Sequence, residues 1–494
     1  MLININAKQN DITKLLKSIM RKSKIKNLDY FESIAVKRPQ RRKRFSYYWD
    51  DITNYCNYFS TDTTKVLEVG CGTGELLNRL QAGYKTGIDY SPSMIELARK
   101  QFPDIYFETM NAEDIQLNEK YDLIIVSNLI GFLDDVQVVF NQLHKVSHER
   151  TKIIVTYYNY LWEPVLKMGE RLGIKDPSPL QNWLSTKDIN NLLMLAGFDV
   201  YRNSKRMIFP IYIPMISEFL NRFVAKLPFF KFLTLNNFSF ATPIPTITTE
   251  GYADKYSVSI VIPARNESGN IENALLRMPE FSKHLEIIFV EGNSTDDTWQ
   301  TIQKVSNQYK NQFDIKIMQQ DGKGKGDAVR KGFDQAKGDI LMILDADLTV
   351  PPEDLPKFYD AIASGKGDFI NGSRLVYAMD TKAMRFLNLL GNKFFSLMFS
   401  WLLDRPFKDT LCGTKVIFRE DYKKLIANRK FFGDFDPFGD FDLIFGAFKL
   451  NLKIVELPIR YRERVYGDTN ISRFRHGFIL LKMCVFAARK IKFR

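Results

Sequence analysis

The chain has 494 residues, which is too long for a single compact core and predicts two or three domains. Its 70 basic and 57 acidic side chains give a net charge of +13, a balance that suits phosphorylated substrates, nucleic acid or an acidic membrane surface. Four scattered cysteines and four scattered histidines exclude a disulfide framework and a zinc site of ordinary ligand spacing, so a reducing compartment is expected.

The N-terminal residues 1–44 are mostly polar and basic. Such a run forms either a solvated arm or an anion-binding arm. The chain begins with no basic-then-apolar signal pattern, and no uncharged apolar run reaches the roughly 18 residues that would predict a membrane span. A cytoplasmic protein is therefore expected.

A glycine-rich turn follows the first clear strand, residues 65–69, and precedes a helical pattern. Its alternating glycines at 70–74 allow backbone amides to approach a ligand closely. A dinucleotide-binding fingerprint would place another glycine where Glu75 or Leu77 stands, which disfavours a nicotinamide or flavin. Asp89 ends the next strand, where an acid can accept both ribose hydroxyls of an adenosine.

The motifs of this half resemble those of class I S-adenosylmethionine-dependent methyltransferases, over about residues 45–235. They are residues 66–74, Asp89, the acidic turn 111–114 and the post-strand residues 127–129. The resemblance implies that the glycine turn lines the methionine part of S-adenosylmethionine, that Asp89 takes the ribose, and that Asp114 or a neighbour contacts the adenine. The cofactor-binding residues expected on this basis are Glu68, Gly70, Cys71, Gly72, Gly74, Asp89, Asn111 and Asp114.

The group that would activate a methyl acceptor is not readable from the sequence, because transfer from a sulfonium can proceed largely by proximity and orientation. His144, Tyr157 and Tyr158 are weak candidates, and each also has a structural interpretation.

A capped helix is predicted over 185–196, and a last strand of this half begins at Asp199. Residues 207–240 are apolar but interrupted by prolines, so they are interpreted as the tail of the first domain, packing on the second domain or on a membrane. A linker is expected at 241–255.

The strand pattern restarts at Ser257. Residues 258–264 and 285–291 are predicted strands, and each runs into a polar turn. The loop 322–326 alternates glycine with lysine, which suits a phosphate, but it lacks the spacing of an ATP-binding Walker loop.

A run of apolar residues, 340–344, leads into Asp345 and Asp347 and predicts a strand buried on both faces. Because side chains two apart on a strand point the same way, both carboxylates are expected to project together from its carboxyl end, where open α/β sheets bind ligands. Such a pair suits Mg²⁺ or Mn²⁺ holding a diphosphate. In isolation an Asp-x-Asp sequence is also common as a helix cap or a solvated turn.

The second half resembles glycosyltransferase family two, nearest to its polyprenyl-phosphate (dolichyl-phosphate mannose synthase-like) branch, from about residue 256 to near the end. The motifs that carry the resemblance are 262–267, 291–298, 322–326, 345–347, 372–374, 410–414, 438–443 and 455–464. The resemblance implies a GT-A fold and inverting transfer from a nucleotide-diphosphate sugar. Glu291 stands where the family usually has an aspartate, which leaves the nucleotide open.

By the same resemblance, a metal on Asp347, helped by Asp345, would take up the charge that develops on the departing diphosphate. Asp440 and Asp442 lie where the family places its acceptor-side acid, and one could act as a general base for a hydroxyl acceptor, whereas a phosphate acceptor needs none. The residues expected to hold the nucleotide sugar are Pro263, Ala264, Arg265, Glu267, Glu291, Asn293, Lys323 and Asp345. Arg374, Arg462 and Arg464 would hold an acceptor phosphate, with a surface ion pair as the alternative for each.

Two late helices bear on location. Residues 386–403 are apolar almost all round except for one polar stripe at 388, 392, 396 and 400, which indicates either burial or oligomer contact, or a membrane interface. Residues 477–494 end in a basic run that suits an anionic leaflet, or else form a docked terminal helix. Together they favour peripheral contact with the inner face of the membrane and a lipid-linked acceptor.

The sequence therefore predicts an α/β protein with a Rossmann-like methyltransferase sheet at 45–240 and a GT-A nucleotide-sugar-binding sheet, with helices on both faces, at 256–494. Its expected role is assembly of a bacterial-type surface glycan or glycolipid, in which one half glycosylates and the other methylates the same product. One alternative is a glycosyltransferase whose first half is only a scaffold. The other is a nucleic-acid-binding protein, for which aromatics interleaved with arginine would be expected and are not seen, so no nucleic-acid partner is expected.

Overall fold

The computed structural model describes residues 28–38, 43, 45–173, 177–179, 181–245, 252, 255–374, 386–427, 439–459, 466 and 473–493. The chain divides into two compact units, Met1–Ile244 and Pro245–Arg494. Each unit contains a seven-stranded mixed sheet with helices packed on it, so the predicted α/β class is confirmed.

The sheet of the first unit has the strand order β3-β2-β1-β4-β5-β7-β6. Its strands are β1 (Lys65–Val69), β2 (Tyr84–Asp89), β3 (Tyr106–Thr109), β4 (Tyr121–Ser127), β5 (Ser147–Tyr158), β6 (Phe198–Arg206) and β7 (Asn236–Pro243). Its helices are α1 (Ser46–Asn57), α2 (Glu75–Arg79), α3 (Pro92–Gln101), α4 (Val136–Leu143), α5 (Glu163–Arg171), α6 (Thr186–Leu195) and α7 (Ile216–Arg222). Strands β1 to β5 pair in parallel, and β7 runs antiparallel to β5 and β6. The strand order reverses between β1 and β4, and ligands bind at such a switch point, outside the carboxyl ends of the strands.

The capped helix predicted over 185–196 is confirmed as α6. The backbone N–H of Asp188 donates to Ser185 Oγ at 3.3 Å, and the N–H of Ser185 donates back to Asp188 Oδ2 at 2.8 Å, which completes a capping box. Gly197 follows with φ of +79°, the left-handed conformation that ends many helices.

The strand predicted from Asp199 is confirmed as β6, but it is not the last strand of this unit, because β7 follows it in the chain and lies between β5 and β6 in the sheet. The sequence predicts an apolar tail up to residue 240 and a linker from 241, whereas β7 covers Asn236–Pro243. The strand is hard to recognise because it buries polar residues that find partners inside the fold. The hydroxyl of Ser239, for example, donates to Asn203 Oδ1 at 2.9 Å or to Asn190 Oδ1 at 3.1 Å.

The sheet of the second unit has the strand order β10-β9-β8-β11-β13-β12-β14. Its strands are β8 (Val258–Ala264), β9 (Leu285–Glu291), β10 (Asp314–Gln319), β11 (Ile340–Ile343), β12 (Phe369–Ser373), β13 (Lys415–Phe418) and β14 (Ile454–Pro458). Its helices are α8 (Ile271–Leu276), α9 (Thr298–Tyr309), α10 (Lys325–Gln335), α11 (Leu355–Ala363), α12 (Phe386–Leu403), α13 (Arg419–Ala427), α14 (Asp440–Lys449) and α15 (Arg473–Ala487). Strands β8 to β11 are parallel, and β13 is antiparallel to β11 and β12. The switch point of this sheet lies between β8 and β11.

The polar stripe of α12 serves the fold where its side chains are described. Ser396 Oγ donates to the carbonyl of Phe407 at 2.5 Å, and the N–H of Phe407 donates to Ser400 Oγ at 2.9 Å. The side chains of the stripe's two asparagines lie outside those described. Phe394 and Leu397 of the same helix are exposed, so the polar side of α12 faces the protein and part of its apolar side does not.

The C-terminal helix α15 continues into a π-helical turn, Ala488–Lys492, that is anchored to the end of α12. Lys492 Nζ lies 2.5 Å from Asp404 Oδ1, and both side chains are nearly buried. Phe478, Leu481 and Val485 of α15 remain exposed. Within the described part of the chain, no helix combines the length and the apolar character needed to cross a membrane.

Candidate functional site

A cavity of about 630 Å³ lies in the first unit, at the carboxyl ends of β1 and β4. This volume is within the usual range for a small-molecule site. Its inner wall is formed by Glu68, Gly70, Asp89, Tyr90, Met110, Asn111, Ala112 and Glu113. Its outer wall is largely apolar and includes Tyr48, Trp49, Tyr158, Trp162, Val165, Leu166, Met168, Leu172 and Ile211.

The glycine turn is held in shape by the end of β2. The N–H of Gly70 donates to the carbonyl of Ile88 at 2.8 Å, and the N–H of Gly72 donates to Asp89 Oδ2 at 2.8 Å. The N–H of Ser91 donates to the other oxygen of Asp89 at 3.0 Å. Burial raises the pKa of the Asp89 carboxyl, although these hydrogen bonds and the charge of Arg38 act in the opposite direction. Asp89 therefore shapes the turn and also faces the cavity.

Residues 28–38, which were expected to belong to a basic arm, pack against this site. The ring of Phe31 lies 5.1 Å from that of Phe132 and 5.9 Å from that of Tyr90. Glu32 accepts a hydrogen bond from Ser91 Oγ at 2.5 Å and another from the hydroxyl of Ser93. The segment thus closes one side of the cavity.

Arg38 lies directly over the glycine turn and lines the cavity. A Cβ added at Gly72, where φ is +56°, would stand 2.7 Å from the guanidinium carbon of Arg38. Glycine is therefore required here both for its conformation and for this close approach. The result is a cation placed beside backbone amides, an arrangement suited to a carboxylate.

Two phenols occupy the outer wall near the end of β4. Asn128, which has φ of +50°, donates from Nδ2 to Tyr48 Oη at 2.8 Å. The rings of Tyr48 and Tyr158 are 5.9 Å apart. Burial raises the pKa of both hydroxyls, so each is neutral at physiological pH and can donate a hydrogen bond.

The three weak candidates for an acceptor-activating group have different surroundings in the structure. His144 Nε2 lies 2.6 Å from the carbonyl of Ala196, and its ring stacks on Phe198, so its role is structural. Tyr157 is buried, with its hydroxyl 3.3 Å from Ser239 Oγ. Tyr158 alone among the three lines the cavity.

Some of the residues predicted to bind the cofactor line the cavity, and others do not. Glu68, Gly70, Asp89 and Asn111 line the cavity. Cys71, Gly72 and Gly74 form the turn behind it, and burial raises the pKa of the Cys71 thiol. Asp114 itself does not line the cavity, since its carboxylate is 68% exposed and lies 3.9 Å from Lys145 Nζ. Its neighbours at 111–113 line the cavity instead.

In the second unit, the polar turns after β8 and β9 are bonded to each other. The N–H of Gly292 donates to the carbonyl of Ala264 at 2.8 Å, and the N–H of Thr295 donates to Asn266 Oδ1 at 2.8 Å. Glu267 is buried and accepts from Asn270 Nδ2 at 2.8 Å. Pro263, Ala264 and Glu267 therefore lie together at one edge of the sheet.

Glu291 turns inward at this edge. Its Oε1 accepts from the N–H of Ser294 at 2.5 Å, and its Oε2 accepts from Gln319 Nε2 at 3.1 Å. Burial would raise the pKa of this carboxyl, but the hydrogen bonds from Ser294 and Gln319 lower it overall. Asn293 follows with φ of +56°, and Arg265 is exposed beside Gly292. Glu291 thus stabilises the turn that a nucleotide would contact.

Asp345 and Asp347 lie at the same edge but not on a strand. Strand β11 ends at Ile343, and the N–H of Leu348 donates to the carbonyl of Asp345 at 3.1 Å in a turn. Leu348 has φ of +51°. The expectation of two side chains on one strand face was therefore wrong, because the chain leaves the extended conformation before the first aspartate.

Lys325, rather than the predicted Lys323, reaches the acidic turn. Its ammonium lies 2.5 Å from Asp345 Oδ1, whereas Lys323 is exposed. A side chain at Gly413 would collide with both members of this pair. Burial opposes ionisation of Asp345, but Lys325, with Lys415 and Arg374, lowers its pKa.

The carboxylate oxygens of this turn are the ligand type that Mg²⁺ and Mn²⁺ prefer. Asp347 Oδ1 accepts hydrogen bonds from the N–H and hydroxyl of Thr349, at 3.1 and 2.8 Å, which orient it. Among the described residues, no group of three or more aspartate, glutamate, histidine or cysteine side chains forms a ready metal cage. The donor set fits a cation shared with a diphosphate, with Asp347 as the better ligand because Lys325 already contacts Asp345.

The acceptor-side candidates are only partly described. Asp442 Oδ2 lies 3.8 Å from Arg330, whereas the side chain of Asp440 and residues 460–465, which include Arg462 and Arg464, lie outside the described part of the chain. Arg374 makes a forked contact with the buried carboxylate of Asp409, at 2.7 Å from Nε and 2.9 Å from a terminal nitrogen. An acceptor phosphate would have to share this guanidinium, so its first role is structural.

Comparison with known families agrees with both geometries. The family model described as a methyltransferase domain matches residues 40–203, and the model for glycosyl transferase family 2 matches residues 259–426. The chain joins a methyltransferase domain to a family 2 glycosyltransferase domain.

Curated relatives align with the glycosyltransferase domain. A dolichol-phosphate mannosyltransferase of Pyrococcus furiosus is 30% identical over 236 residues, which are 46% of this chain and 64% of that protein. The glycosyltransferase AglJ of Haloferax volcanii is 26% identical over 226 residues, 45% of this chain and 69% of its own length. An undecaprenyl-phosphate 4-deoxy-4-formamido-L-arabinose transferase of Pseudomonas savastanoi is 38% identical over 104 residues, 20% of this chain and 31% of its own. The chain therefore spans less than two thirds of the Pyrococcus protein.

Solved methyltransferase structures are similar to part of the chain at low identity. A putative methyltransferase in complex with the Haloferax volcanii Trm112 activator is 15% identical with a TM-score of 0.35, covering 43% of this chain and 97% of that one. An S-adenosylmethionine-dependent methyltransferase of Thermotoga maritima is 18% identical with a TM-score of 0.35, covering 43% and 98%.

The residues that sequence reasoning missed come from segments distant in the chain. In the methyltransferase domain they are Arg38 and Tyr48, and in the glycosyltransferase domain they are Lys325 and Asp409. A signal existed for Lys325, since it lies in the same glycine-lysine loop as Lys323. Arg38 was hidden in a run of basic residues that resembles an ordinary solvated arm.

Proposed function

We propose that the glycosyltransferase domain transfers a sugar from a nucleotide-diphosphate sugar to a polyprenyl-phosphate or glycan acceptor, with inversion and with Mg²⁺ or Mn²⁺. The observation that carries this proposal is the acidic turn at the switch point between β8 and β11, with Lys325 bound to Asp345. The relatives described above include dolichol-phosphate and undecaprenyl-phosphate transferases, which supports the acceptor class.

The turn's residues have separate tasks in this proposal. A divalent cation supplies positive charge to the leaving diphosphate when it is bound at Asp347. Lys325 holds Asp345 in place, and the exposed Lys323 on the same loop adds a mobile cation for phosphate oxygens. The rigid edge formed by Pro263, Ala264 and Glu267 receives the nucleotide.

On the acceptor side, the chemistry of the acceptor decides whether a general base is needed. With a hydroxyl acceptor, Asp442 or Asp440 takes the proton as the new glycosidic bond forms. With a phosphate acceptor, no base is needed, and Arg462 and Arg464 bind the phosphate together with Arg374, which remains bound to Asp409.

We further propose that the methyltransferase domain binds S-adenosylmethionine and methylates a substrate related to the glycosylated product. Asp89 and Asn111 face the region expected for the adenosine, and Arg38 supplies a cation for the carboxylate of the methionine part. Bound there, the cofactor supplies an electrophilic methyl group. The domain positions the acceptor and excludes water with its apolar outer wall.

Peripheral contact with the inner face of a membrane belongs to the same proposal. The outward side chains Phe394, Leu397, Phe478, Leu481 and Val485 are accompanied by Lys393, Lys482, Arg489 and Lys490. Apolar side chains with flanking cations suit an anionic leaflet. Such contact would bring the glycosyltransferase domain to a lipid-linked acceptor.

The test of sugar transfer is mass spectrometry of products formed by the purified chain from a panel of nucleotide sugars and polyprenyl phosphate. We expect one nucleotide sugar to give a polyprenyl-phosphate sugar, and we expect this product to be lost in excess chelator. Asp347→Asn should reduce transfer by at least 100-fold, while Asp360→Asn, which alters an exposed acid on α11, should have no effect. Full activity of Asp347→Asn, or full activity in chelator, would overturn the assigned site.

The scaffold alternative is tested separately by calorimetry. Titration of the chain with S-adenosylmethionine should give saturable heat with a 1:1 stoichiometry. No heat, with sugar transfer intact, would favour a glycosyltransferase whose first domain is a scaffold.

A further inference from the structure

Exposed apolar side chains of α5 and of the segment 211–233, some of which line the methyltransferase cavity, form a surface that we call the apolar collar. It comprises Val165, Met168, Leu172, Ile211, Tyr212, Ile213, Met215, Ile216, Phe219, Phe223, Leu227, Phe229, Phe230, Phe232 and Leu233. Phe229 is 84% exposed and Met215 is 82% exposed. Monomeric proteins rarely leave so many large apolar residues together in water, and such patches mark interaction sites.

The backbone of the collar is held by hydrogen bonds from side chains. Asn221 Oδ1 accepts from the N–H groups of Ile208 and Phe209, at 2.7 and 2.9 Å. Asn159 Nδ2 donates to the carbonyl of Phe232 at 2.9 Å, and Trp162 Nε1 donates to that of Leu233 at 2.8 Å. These contacts join the segment 208–235 to the start of α5, so the exposed rings are presented by a defined backbone.

The collar is continuous with the interior of the cavity. Val165, Met168, Leu172 and Ile211 are exposed to solvent and also line the cavity. Farther in, the wall continues with Trp162 and reaches Tyr158. An apolar path therefore leads from the surface to the phenols opposite the cofactor-binding wall.

The charges around the collar favour an anionic partner. Three of the five basic residues between positions 205 and 233 remain at least partly exposed, whereas the other two are buried or paired with Asp51, and the same segment has one acidic residue, Glu218. Arg222 is exposed, and Lys205 and Lys231 are half-buried at the edge of the collar. Burial lowers the pKa of Lys205, and the positive charge of Lys231 adds to this effect, which places the two cations near each other. Bulky apolar residues flanked by cations are typical of surfaces that enter an anionic lipid interface.

We propose that the apolar collar docks on an anionic lipid bilayer and that the methyl acceptor is an amphiphile that enters the cavity from it. The apolar chain of this substrate lies along the collar, and its polar head reaches Tyr158. This inference rests on the proposed methyltransferase function and assigns its substrate class. It involves a different surface from the outward sides of α12 and α15 in the glycosyltransferase domain.

A fluorophore at one collar position tests the docking directly. In the full chain, Phe229→Cys is labelled with an environment-sensitive dye, and Met194→Cys, on an exposed apolar residue of α6 away from the cavity, is the matched control. The native cysteines are buried, which limits their labelling. Each protein is mixed with phosphatidylcholine vesicles with or without phosphatidylglycerol. We expect a blue shift and a severalfold rise in emission at position 229 only, and only with phosphatidylglycerol.

Three other results would overturn the docking surface. The first is no response of the label at 229 although the protein sediments with the vesicles. The second is an equal response at both positions. The third is a label at 229 that is already shielded before vesicles are added, which would mean that another part of the chain or a second copy covers the collar.

A second pair of variants tests the substrate class. Phe229→Glu should lower methyl transfer to lipid-linked acceptors in phosphatidylglycerol vesicles by at least tenfold, and Met194→Glu should not. Equal rates for the two variants would overturn the amphiphile assignment. Calorimetry with S-adenosylmethionine tests the methyltransferase function separately from the docking surface. Membrane insertion without cofactor binding refutes the methyltransferase function and leaves the docking surface. Cofactor binding without insertion refutes the docking surface and leaves the methyltransferase function.

Discussion

The ammonium of Lys325 lies 2.5 Å from Oδ1 of Asp345, and this contact ties the glycine-lysine loop to the acidic turn. Each side chain retains about a quarter of its exposure, so the pair lies at the rim of the site rather than in the core. Gly413 leaves room for it, since any side chain there would overlap the pair. The contact holds the first aspartate in place and leaves the second, Asp347, as the candidate metal ligand.

Replacing Lys325 by methionine should destabilise the glycosyltransferase domain at neutral pH by about 1–3 kcal/mol, between the values for exposed and buried pairs. The pKa of Asp345 is lower in the folded state than its unfolded value of about 3.9, so the pair stabilises the fold above that pH. This stabilisation is lost as the pH falls through the folded-state pKa. Urea denaturation of both proteins at pH 7 and below pH 4 should therefore show a gap that closes in acid. Lys323→Met is the control, and equal stability of Lys325→Met and wild type at pH 7 would contradict the assignment.

Replacing Arg38 by glutamine should weaken S-adenosylmethionine binding by about tenfold, the loss expected for one charge-assisted hydrogen bond. Lys37→Gln removes the same charge from an exposed neighbour and should leave the affinity unchanged. Calorimetry of the three proteins at one salt concentration measures the difference. An unchanged dissociation constant for Arg38→Gln would show that the guanidinium only closes the turn.

Removing the hydroxyl of Tyr158 should slow methyl transfer by on the order of tenfold, with cofactor affinity unchanged, because one neutral hydrogen-bond donor to the acceptor is lost. Since burial raises the pKa of this phenol, the activity should show no loss that tracks its ionisation near pH 7. Tyr157→Phe is the matched control on the next residue of β5, where the hydroxyl meets Ser239 instead of the cavity. Equal kcat values for both variants would remove Tyr158 from the acceptor site.

Filling the cavity at Gly169 should separate cofactor binding from acceptor binding. Gly169 lines the cavity on α5, and a Cβ there meets no atom within 4 Å, so the first atom of a larger side chain has room at this position. We expect normal binding of S-adenosylmethionine and at least tenfold weaker binding of an alkyl glycoside with a long chain. Gly173→Phe is unsuitable as a control, because the positive φ of Gly173 would strain any larger residue. Met194→Phe, on an exposed residue of α6, is the control instead. Unchanged binding of the glycoside to Gly169→Phe would place the acceptor elsewhere.

Much of the fold could be predicted because local patterns were strong. The alternating glycines after β1, Asp89 at the end of β2 and the polar turn after β8 lie where strands end, and strand ends are readable from hydrophobic runs over a few residues. Strand β7 escaped because its polar residues are buried with internal partners, so that its sequence resembles a loop. The acidic turn was identified, but its conformation was misread, since hydrophobicity does not reveal that β11 ends at Ile343.

The sequence by itself determined that the chain has two α/β halves, and which turns carry glycines, acids and lysines. Only the tertiary structure decided that Lys325 meets Asp345, that Arg38 covers Gly72 and that Asp409 engages Arg374. It also decided that Asp114 faces solvent while Tyr158 faces the cavity. The physical reason is that hydrophobic periodicity and turn residues carry information about a few neighbouring residues only. These contacts depend instead on the order in which distant strands pair in each sheet.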